Sequence, residues 1–288
     1  MTNIANKFKT QKLAILGLVI IGVFVSAGIF APVVSPHDPY AVNLTGKLLK
    51  PCAEYPLGTD QLGRCILSRL IFGTRTSLTT AMVATVLMLA IGVPLGIIAG
   101  YVGGWLDNVI MRLADIASTF PSSLLALAII GVLGPSIVNI MIVFVLLWWA
   151  PFARIVRSMV MKLKEKEFIL AAIASGSSHW SIISSHIAVN VASPVIVLAT
   201  LRIAAVIMHV AGFSFIGLGS QPPIADWGVM LSDSRQYLTS RPLMLLWPGL
   251  AIMLVVFAFN MLGEGLNDAL LPSSGDRAVV KEVDGAHG

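Results

Sequence analysis

Four long stretches of the chain carry no charged residue and divide it into predicted membrane spans. They cover residues 13–34, 76–106, 116–153 and 242–263. A helix needs roughly 20 apolar residues to cross a bilayer, so each stretch is long enough to form at least one span. The third stretch is too long for one helix. It carries Gly131, Gly134 and Pro135 at its middle, which predicts two helices joined by a tight turn.

A further predicted span is less regular. Residues 190–214 are apolar except for Arg202 and His209, and they can cross the bilayer if those two side chains face protein or water instead of lipid. The pattern therefore predicts an all-α integral membrane protein with about six transmembrane helices.

Because the first apolar stretch is longer than the h-region of a signal peptide and prolines follow it, we interpret it as a retained helix.

Composition and charge agree with a membrane protein. Of the 288 residues, 57% are hydrophobic and only 11% are charged, which excludes a soluble globular domain. Loops rich in Lys and Arg face the cytoplasm in such proteins, and their modest bias here places both termini on that side of the inner (cytoplasmic) membrane. The formal net charge of +5 follows from this topology, so it gives no argument for a nucleic-acid partner.

This topology divides the chain into expected segments. Residues 1–12 and 273–288 are cytoplasmic, and residues 13–34 form the first transmembrane helix. Residues 35–77 form an extracytoplasmic segment, and residues 78–272 form a five-helix core.

A polar interruption at residues 159–189 separates two spans of that core. Its middle reads "EFILAAIASGSSHWSIISSH". Helical spacing predicts one face with a single large residue beside small ones: Phe168, Ala171, Ala172 and Ser175. Gly176 is expected to end this helix, and Ser177 or Ser178 to cap the next one.

The second short helix is expected to have an apolar side formed by Trp180, Ile183 and Ile187. Two interpretations fit this pattern. The interruption is either a helix, a turn and a helix lying between two spans, or an ordinary amphipathic loop resting on the membrane surface. Periodicity alone does not separate the two.

Several stretches resemble a known family. "EFILAAIASG" resembles the coupling-loop motif of permease subunits in ABC-type importers, where a Glu-Ala-Ala pattern precedes a glycine. "PLGTDQLGRCILSRLIFGTRTSL" and "FSFIGLGSQPPIADWGVMLSDSRQYL" are similar to signature stretches of the dipeptide, oligopeptide and nickel branch, and "WPGLAIMLVVFAFNMLGEGLNDALLP" resembles its last helix. The resemblance covers about residues 13–272 and implies the type I ABC importer permease fold.

The resemblance also implies a mechanism. In these importers a cytoplasmic loop docks in a cleft of a separate ATPase, whose closure swings the transmembrane helices between two states. Carried over to this chain, residues 159–189 form the coupling loop, and the implied ATPase contacts are Glu167, Phe168, Ala171, Ala172 and Gly176. The implied partners are a companion permease forming a heterodimer, two ATPase subunits and an extracytoplasmic binding protein.

ATP hydrolysis is not expected in this chain. It contains no GxxxxGK[ST] phosphate loop, and it has no paired carboxylates or HExxH motif that would indicate an enzyme. We therefore expect a transport subunit without catalytic residues, resident metal or bound cofactor, and ATP is expected to be used by partner subunits.

Three residues are candidates for the translocation path: Arg202, Met208 and His209. Arg202 and His209 are seven positions apart and share one helix face, with Arg202 about 18 Å into the bilayer core. Imidazole and thioether groups suit a transition metal or its chelate. "LATLRIAAVIMHVAGFSFIGLG" also resembles the nickel branch, so nickel or another transition metal is the expected cargo.

Two alternatives remain open. The chain is a permease for dipeptides or oligopeptides, or it is a secondary transporter or channel that works alone. The second alternative predicts internal inverted repeats, which the sequence does not show.

Small residues and charges within the spans lead to local expectations. Glycines recur every four residues in the second span and predict a groove into which another helix packs closely: Gly92, Gly96, Gly100 and Gly104. Arg112 and Asp115 are three positions apart and predict a local ion pair.

The outer segments, residues 35–77 and 215–244, carry mixed polar and aromatic residues that include Asp226 and Trp227. Such a surface is typical of an interface, here for a binding protein, or of two segments that pack on each other to cap the bundle. Cys52 and Cys65 are interpreted as small apolar residues, not as a bonded pair. Cys65 also replaces the family's usual aspartate, which removes an acceptor that could have held Arg69.

Overall fold

The structure is a computed structural model and describes residues 11–270. The tail 273–288, and residues 1–10 of the predicted N-terminal segment, lie outside the described residues. Within the described range the chain is helical and forms no β-strand. The expected all-α fold is therefore confirmed.

The helices, numbered in chain order, begin and end as follows: α1 Lys12–Ile29, α2 Ala31–Val34, α3 Ile66–Val102, α4 Gly104–Thr119, α5 Ser122–Leu133, α6 Ile137–Lys164, α7 Glu167–Ala174, α8 His179–Ser181, α9 Ala188–Phe215, α10 Trp227–Ser234 and α11 Pro242–Leu270. A π-helical stretch, Ile182–Ile187, joins α8 to α9. Five helical segments are long and apolar enough to cross a membrane, and α4 with α5 forms a sixth candidate span that bends by 82°. About six transmembrane helices are thus confirmed.

The second span is longer than its apolar stretch. α3 begins at Ile66, well before position 76, so the expected boundary between residues 35–77 and the core falls inside a continuous helix. The hydropathy pattern ends the span where charged residues begin, but the helix continues past them because Arg69 is buried and paired with Asp60. With 37 residues α3 is about 55 Å long, which exceeds a bilayer core about 30 Å thick.

The predicted turn within residues 116–153 is confirmed. Gly134 ends α5 with a φ of +90°, a backbone conformation that glycine adopts without steric cost, and the Ser136 hydroxyl accepts the N–H of Val138 at the start of α6. A second break was not predicted. Phe120 adopts an extended conformation before Pro121, as residues preceding proline prefer, and this separates α4 from α5.

The helix contacts define two ends of the bundle. A Cβ built on Gly28 would lie 3.4 Å from the backbone of Arg75, so the end of α1 lies beside the first third of α3. We call this side of the bundle the cap end. Gly265 packs against Ala14, so the end of α11 lies beside the start of α1 at the opposite end of the bundle. The Tyr101 hydroxyl bonds to His179 at that opposite end, which we call the loop end.

The expected close packing of helices is found between α3 and α6. A Cβ built on Gly92, Gly96 or Gly100 would lie 2.6 to 2.8 Å from backbone oxygens of α6, so these glycines let the two helices touch. Gly104 does not belong to this contact. It is the first residue of α4, and no atom of a neighbouring segment lies within 4 Å of its built Cβ.

Candidate functional site

The polar interruption at residues 159–189 forms a helix, a turn and a second helix. α6 extends to Lys164, and α7 follows at Glu167. Gly176 adopts a φ of +74° at the end of α7, and its N–H donates to the Ile173 carbonyl at 3.0 Å. The Ser178 hydroxyl accepts the N–H of Ser181 at 3.2 Å and caps α8. The predicted break and cap are confirmed.

Three isoleucines anchor this loop to the bundle. Ile169, Ile182 and Ile187 are fully buried and pack in one cluster with residues of α3, α6 and α9, namely Tyr101, Val156, Val160 and Val191. Burying a large aliphatic side chain contributes roughly 1.5–3 kcal/mol. The interruption is therefore a packed helix, turn and helix that forms part of the bundle.

The predicted coupling residues divide between two faces. Glu167, Phe168, Ala171 and Gly176 are exposed. Ala172 is half-buried and packs against the isoleucine cluster, so it faces the bundle. The two alanines are adjacent in sequence and lie about 100° apart around the helix, which separates their environments.

The outer face of α7 is more apolar than expected. Phe168, Leu170 and Ile173 are 44%, 53% and 46% exposed, and Leu170 and Ile173 lie on the opposite flank of the helix from Phe168. Their spacing of three residues is a helical signal that the small-residue pattern obscured. On the predicted apolar side of the second helix, Ile183 and Ile187 pack into the bundle, whereas Trp180 is 75% exposed. We call Phe168, Leu170, Ile173 and Trp180 the exposed apolar residues of the loop.

Polar contacts also tie the loop to α3. The Tyr101 hydroxyl and His179 Nδ1 lie 2.8 Å apart, and Lys164 Nζ donates to the Tyr101 carbonyl at 2.8 Å. Tyr101 is the penultimate residue of α3 and His179 opens α8. No sequence signal could reveal this pair, because its members are 78 positions apart.

Two arginines of α6 hold α4 near the loop end. Arg157 forms an ion pair with Asp107, and Arg154 Nη2 lies 3.0 Å from Asp115 Oδ1. The predicted pair of Arg112 with Asp115 is therefore wrong. α4 packs along α6, and this places Asp115 beside an arginine of the neighbouring helix instead of its own.

The candidate path residues do not converge on one site. The Arg202 guanidinium lies 5.5 Å from the Trp148 ring centroid, and the His209 ring lies 4.6 Å from the same ring, so these two share a face toward α6 as predicted. Met208 points elsewhere and is 53% exposed. It lines a groove of about 510 Å³ between α9 and α11 together with Met253 and Asn260.

His209 has one ring nitrogen engaged. Nδ1 lies 2.8 Å from the Ala205 carbonyl, which can only accept, so Nδ1 carries the proton and Nε2 is the nitrogen with a lone pair. Across residues 11–270 no group of three or more His, Cys, Asp and Glu side chains is arranged to hold a metal ion.

A buried ion cluster at the cap end was missed by sequence reasoning. Asp60, Arg64 and Arg69 are 5%, 4% and 1% exposed. Asp60 Oδ2 lies 2.6 Å from Arg64 Nε and 3.6 Å from Arg69 Nε, and Arg64 reaches Asp233 at 3.3 Å. Asp60 therefore provides the acceptor for Arg69 that Cys65 does not.

The cluster joins the two outer segments. Arg69 Nη1 donates to the carbonyls of Pro39 at 3.2 Å and Pro223 at 3.4 Å. Trp227 is fully buried, and its Nε1 donates to the Leu70 carbonyl at 3.0 Å. The two segments thus pack on each other and cap the bundle.

Asp226 and Trp227 are not available as docking surface. Asp226 is 1% exposed, and its Oδ1 accepts the N–H groups of Gly228 and Val229 to cap α10. Burial raises the pKa of Asp226, and these hydrogen bonds oppose that rise. Cys52 is exposed and Cys65 buried, and both are free thiols.

Comparison with known proteins decides the family. Residues 92–274, more than half of the chain, match the family described as the binding-protein-dependent transport system inner membrane component. Residues 2–51 match the N-terminal transmembrane domain of oligopeptide transport permease C. The chain belongs to the dipeptide, oligopeptide and nickel family of ABC importer permeases. This confirms the type I importer permease fold.

Three relatives show the range of this family. The permease is 46% identical to the dipeptide transport system permease protein DppC of Alkalihalophilus pseudofirmus over 92% of this chain and 88% of the relative. It is 44% identical to the nickel transport system permease protein NikC of Escherichia coli over 89% and 93%. It is 36% identical to the glutathione transport system permease protein GsiD of Pectobacterium atrosepticum over 92% and 89%.

These matches define the protein's general role. It is a multi-pass inner membrane protein and the permease subunit of an ABC importer, and it is not an enzyme. The alternative of a secondary transporter or channel that works alone is therefore wrong. The relatives are named for different cargoes, a dipeptide and nickel. The comparison therefore does not decide whether the cargo of this permease is a metal or a peptide.

Proposed function

We propose that the exposed face of the coupling loop docks on a separate ATPase subunit and carries its motion into the bundle. The exposed apolar residues support this, because four large side chains on one loop would otherwise remain in contact with water. Two such ATPase subunits, a companion permease and a binding protein complete the proposed importer, and partner subunits use the ATP. The loop end and both termini are proposed to be cytoplasmic, and the cap end extracytoplasmic.

The contacts inside the loop suggest how motion would be transmitted. Ile169, Ile182 and Ile187 fix the loop to the bundle, and the Tyr101 and His179 contact links it to the end of α3. α3 in turn packs on α6 through Gly92, Gly96 and Gly100 with backbone contact. A push on the loop would therefore move α3 and α6 together as a rigid pair.

Ala171→Arg tests the docking face. The substitution places a charge in a contact that must exclude water, and we expect uptake to fall at least tenfold while membrane insertion stays normal. Ala171→Ser, which keeps a small uncharged side chain at the same exposed position, is the matched control and should leave uptake unchanged. Uptake in cells and the amount of inserted protein are measured for each. Normal uptake by Ala171→Arg would contradict ATPase docking at this face.

Two further substitutions separate docking from loop structure. Gly176→Leu puts a side chain at a φ of +74°, which costs about 1–2 kcal/mol and should reduce uptake by disturbing the turn. Ala172→Arg acts on the half-buried side and should lower both uptake and thermal stability. A stable, fully active Ala172→Arg variant would show that the isoleucine cluster does not position the loop.

For the cargo, we propose nickel or another transition metal, carried as a small chelate. The 44% identity to a nickel permease supports this, as does the lone pair of His209 Nε2 in the last third of α9. A chelate is favoured because the described part of the chain offers no set of three metal ligands, so the cargo would bring most of its own. A dipeptide or oligopeptide cargo is the second candidate, supported by the 46% identity to DppC.

Total cell nickel, cobalt and zinc, measured by mass spectrometry beside uptake of a labelled dipeptide, separates the two cargoes. Under metal limitation, cells lacking the permease should lose one metal and keep dipeptide uptake. His209→Ala should likewise lower the cell content of that metal, by roughly tenfold, because the substitution removes the imidazole nitrogen that would contact the metal in transit. Loss of dipeptide uptake alone would replace the metal assignment with the peptide one.

A further inference from the structure

A groove runs between α1 and α3 at the cap end of the bundle. It has a volume of about 300 Å³, and its lining residues are mostly apolar: Val25, Gly28, Ile29, Thr74, Arg75, Leu78, Thr79 and Met82. From Arg75 to Met82 the groove follows α3 for about 10 Å, the length of part of one acyl chain. Met82 and Ile29 are 47% and 65% exposed, so the groove opens on the outside of the bundle.

Arg75 stands at one end of this groove. It is exposed, and none of the ion pairs found within residues 11–270 includes it. The neighbouring Arg64 and Arg69 on the same side of the bundle both have carboxylate partners. Arg75 therefore differs from the structural arginines of the cap, since its charge is available to a ligand.

The depth of Arg75 matches the edge of the bilayer. Its backbone contacts Gly28, which is the penultimate residue of α1. α1 has 18 residues and is about 27 Å long, close to the thickness of the hydrocarbon core. Arg75 consequently lies near the headgroup level at the cap end, while Leu78 and Met82 lie deeper, at the level of acyl chains.

We propose that this groove binds an anionic phospholipid of the cap-side leaflet. The phosphate pairs with the Arg75 guanidinium, and one acyl chain lies along Leu78 and Met82. Arginine at the interface attracts anionic headgroups, and an apolar groove below it suits the attached chain. This site is separate from the coupling loop and from the candidate path, so it does not depend on the proposed ATPase contact or cargo.

Native mass spectrometry of the purified transporter complex tests the site with phosphatidylglycerol and phosphatidylethanolamine as probes. The wild-type complex should retain phosphatidylglycerol in preference to phosphatidylethanolamine. Arg75→Gln should lower that preference roughly fivefold, the effect expected for one interfacial cation. Arg235→Gln, which removes an exposed cap-end arginine away from the groove, is the control and should retain the wild-type preference.

A second variant tests the acyl-chain part of the site. Thr79→Trp fills the groove from an exposed position, and we expect it to reduce retention of both lipids. The proposal is overturned if Arg75→Gln keeps the wild-type preference. It is also overturned if Thr79→Trp leaves lipid retention unchanged but releases the companion permease, because that result would make the groove a subunit contact.

Discussion

Asp60→Ala is expected to be among the most destabilising single substitutions in this permease, lowering the free energy of unfolding by about 3–5 kcal/mol. The change leaves Arg64 and Arg69 buried without their shared carboxylate. It also removes the acceptor for the N–H groups of Leu62 and Arg64, which each lie 2.9 Å from Asp60 Oδ1. Thermal unfolding of the purified protein in detergent measures the effect.

Two matched variants show whether the loss comes from the buried charge. Glu54→Ala removes an exposed carboxylate from the same outer segment and should melt like wild type. Asp60→Asn keeps one acceptor oxygen for the backbone N–H groups but removes the charge and the oxygen that faces the arginines, so its melting temperature should lie between those of wild type and Asp60→Ala. If Asp60→Ala melts at the wild-type temperature, the cluster does not hold the cap.

Local features of the fold could be predicted from the sequence because neighbouring residues determine them. The turn at Gly134, the break at Gly176 and the cap at Ser178 depend on backbone freedom and on hydrogen bonds within a few residues. The number of spans follows from apolar length alone. These features needed no knowledge of which helices meet.

Features that depend on tertiary contacts could not be predicted. Arg64 pairs with Asp233, which is 169 positions away, and Asp115 pairs with Arg154 across a helix interface instead of with Arg112. The early start of α3 has the same cause. A pattern of apolar residues cannot show that the charge of Arg69 is buried and neutralised by the Asp60 carboxylate.

The candidate site divides in the same way. The shared face of Arg202 and His209 could be predicted, because it depends on helical spacing. The coupling role of residues 159–189 rests on the family resemblance and stays a prediction. The sequence could not tell that Ala172 faces the bundle while Ala171 faces outward. Which side of a helix is covered is decided by its neighbours, and Met208 lies exposed in the groove beside α11 instead of facing α6.

Gly96→Val is expected to abolish uptake and to reduce the amount of folded permease. A Cβ at this position would lie 2.6 Å from the Ala153 carbonyl oxygen and 2.8 Å from Val156 Cβ. Neither atom is the flexible end of a side chain, so the helices α3 and α6 must separate. Overpacking of this kind typically costs 1–3 kcal/mol, and here it acts on the helix pair proposed to carry motion from the loop.

Gly131→Val is the matched control, because no atom of a neighbouring segment lies within 4 Å of its built Cβ. It makes the same change in an exposed helix and should retain uptake. Gly96→Ala adds only the Cβ, so it separates the effect of close packing on folding from its effect on transport. If Gly96→Ala folds to normal levels but transports poorly, the contact between α3 and α6 is needed for movement. Normal uptake by both Gly96 variants would show that this contact is not needed for transport.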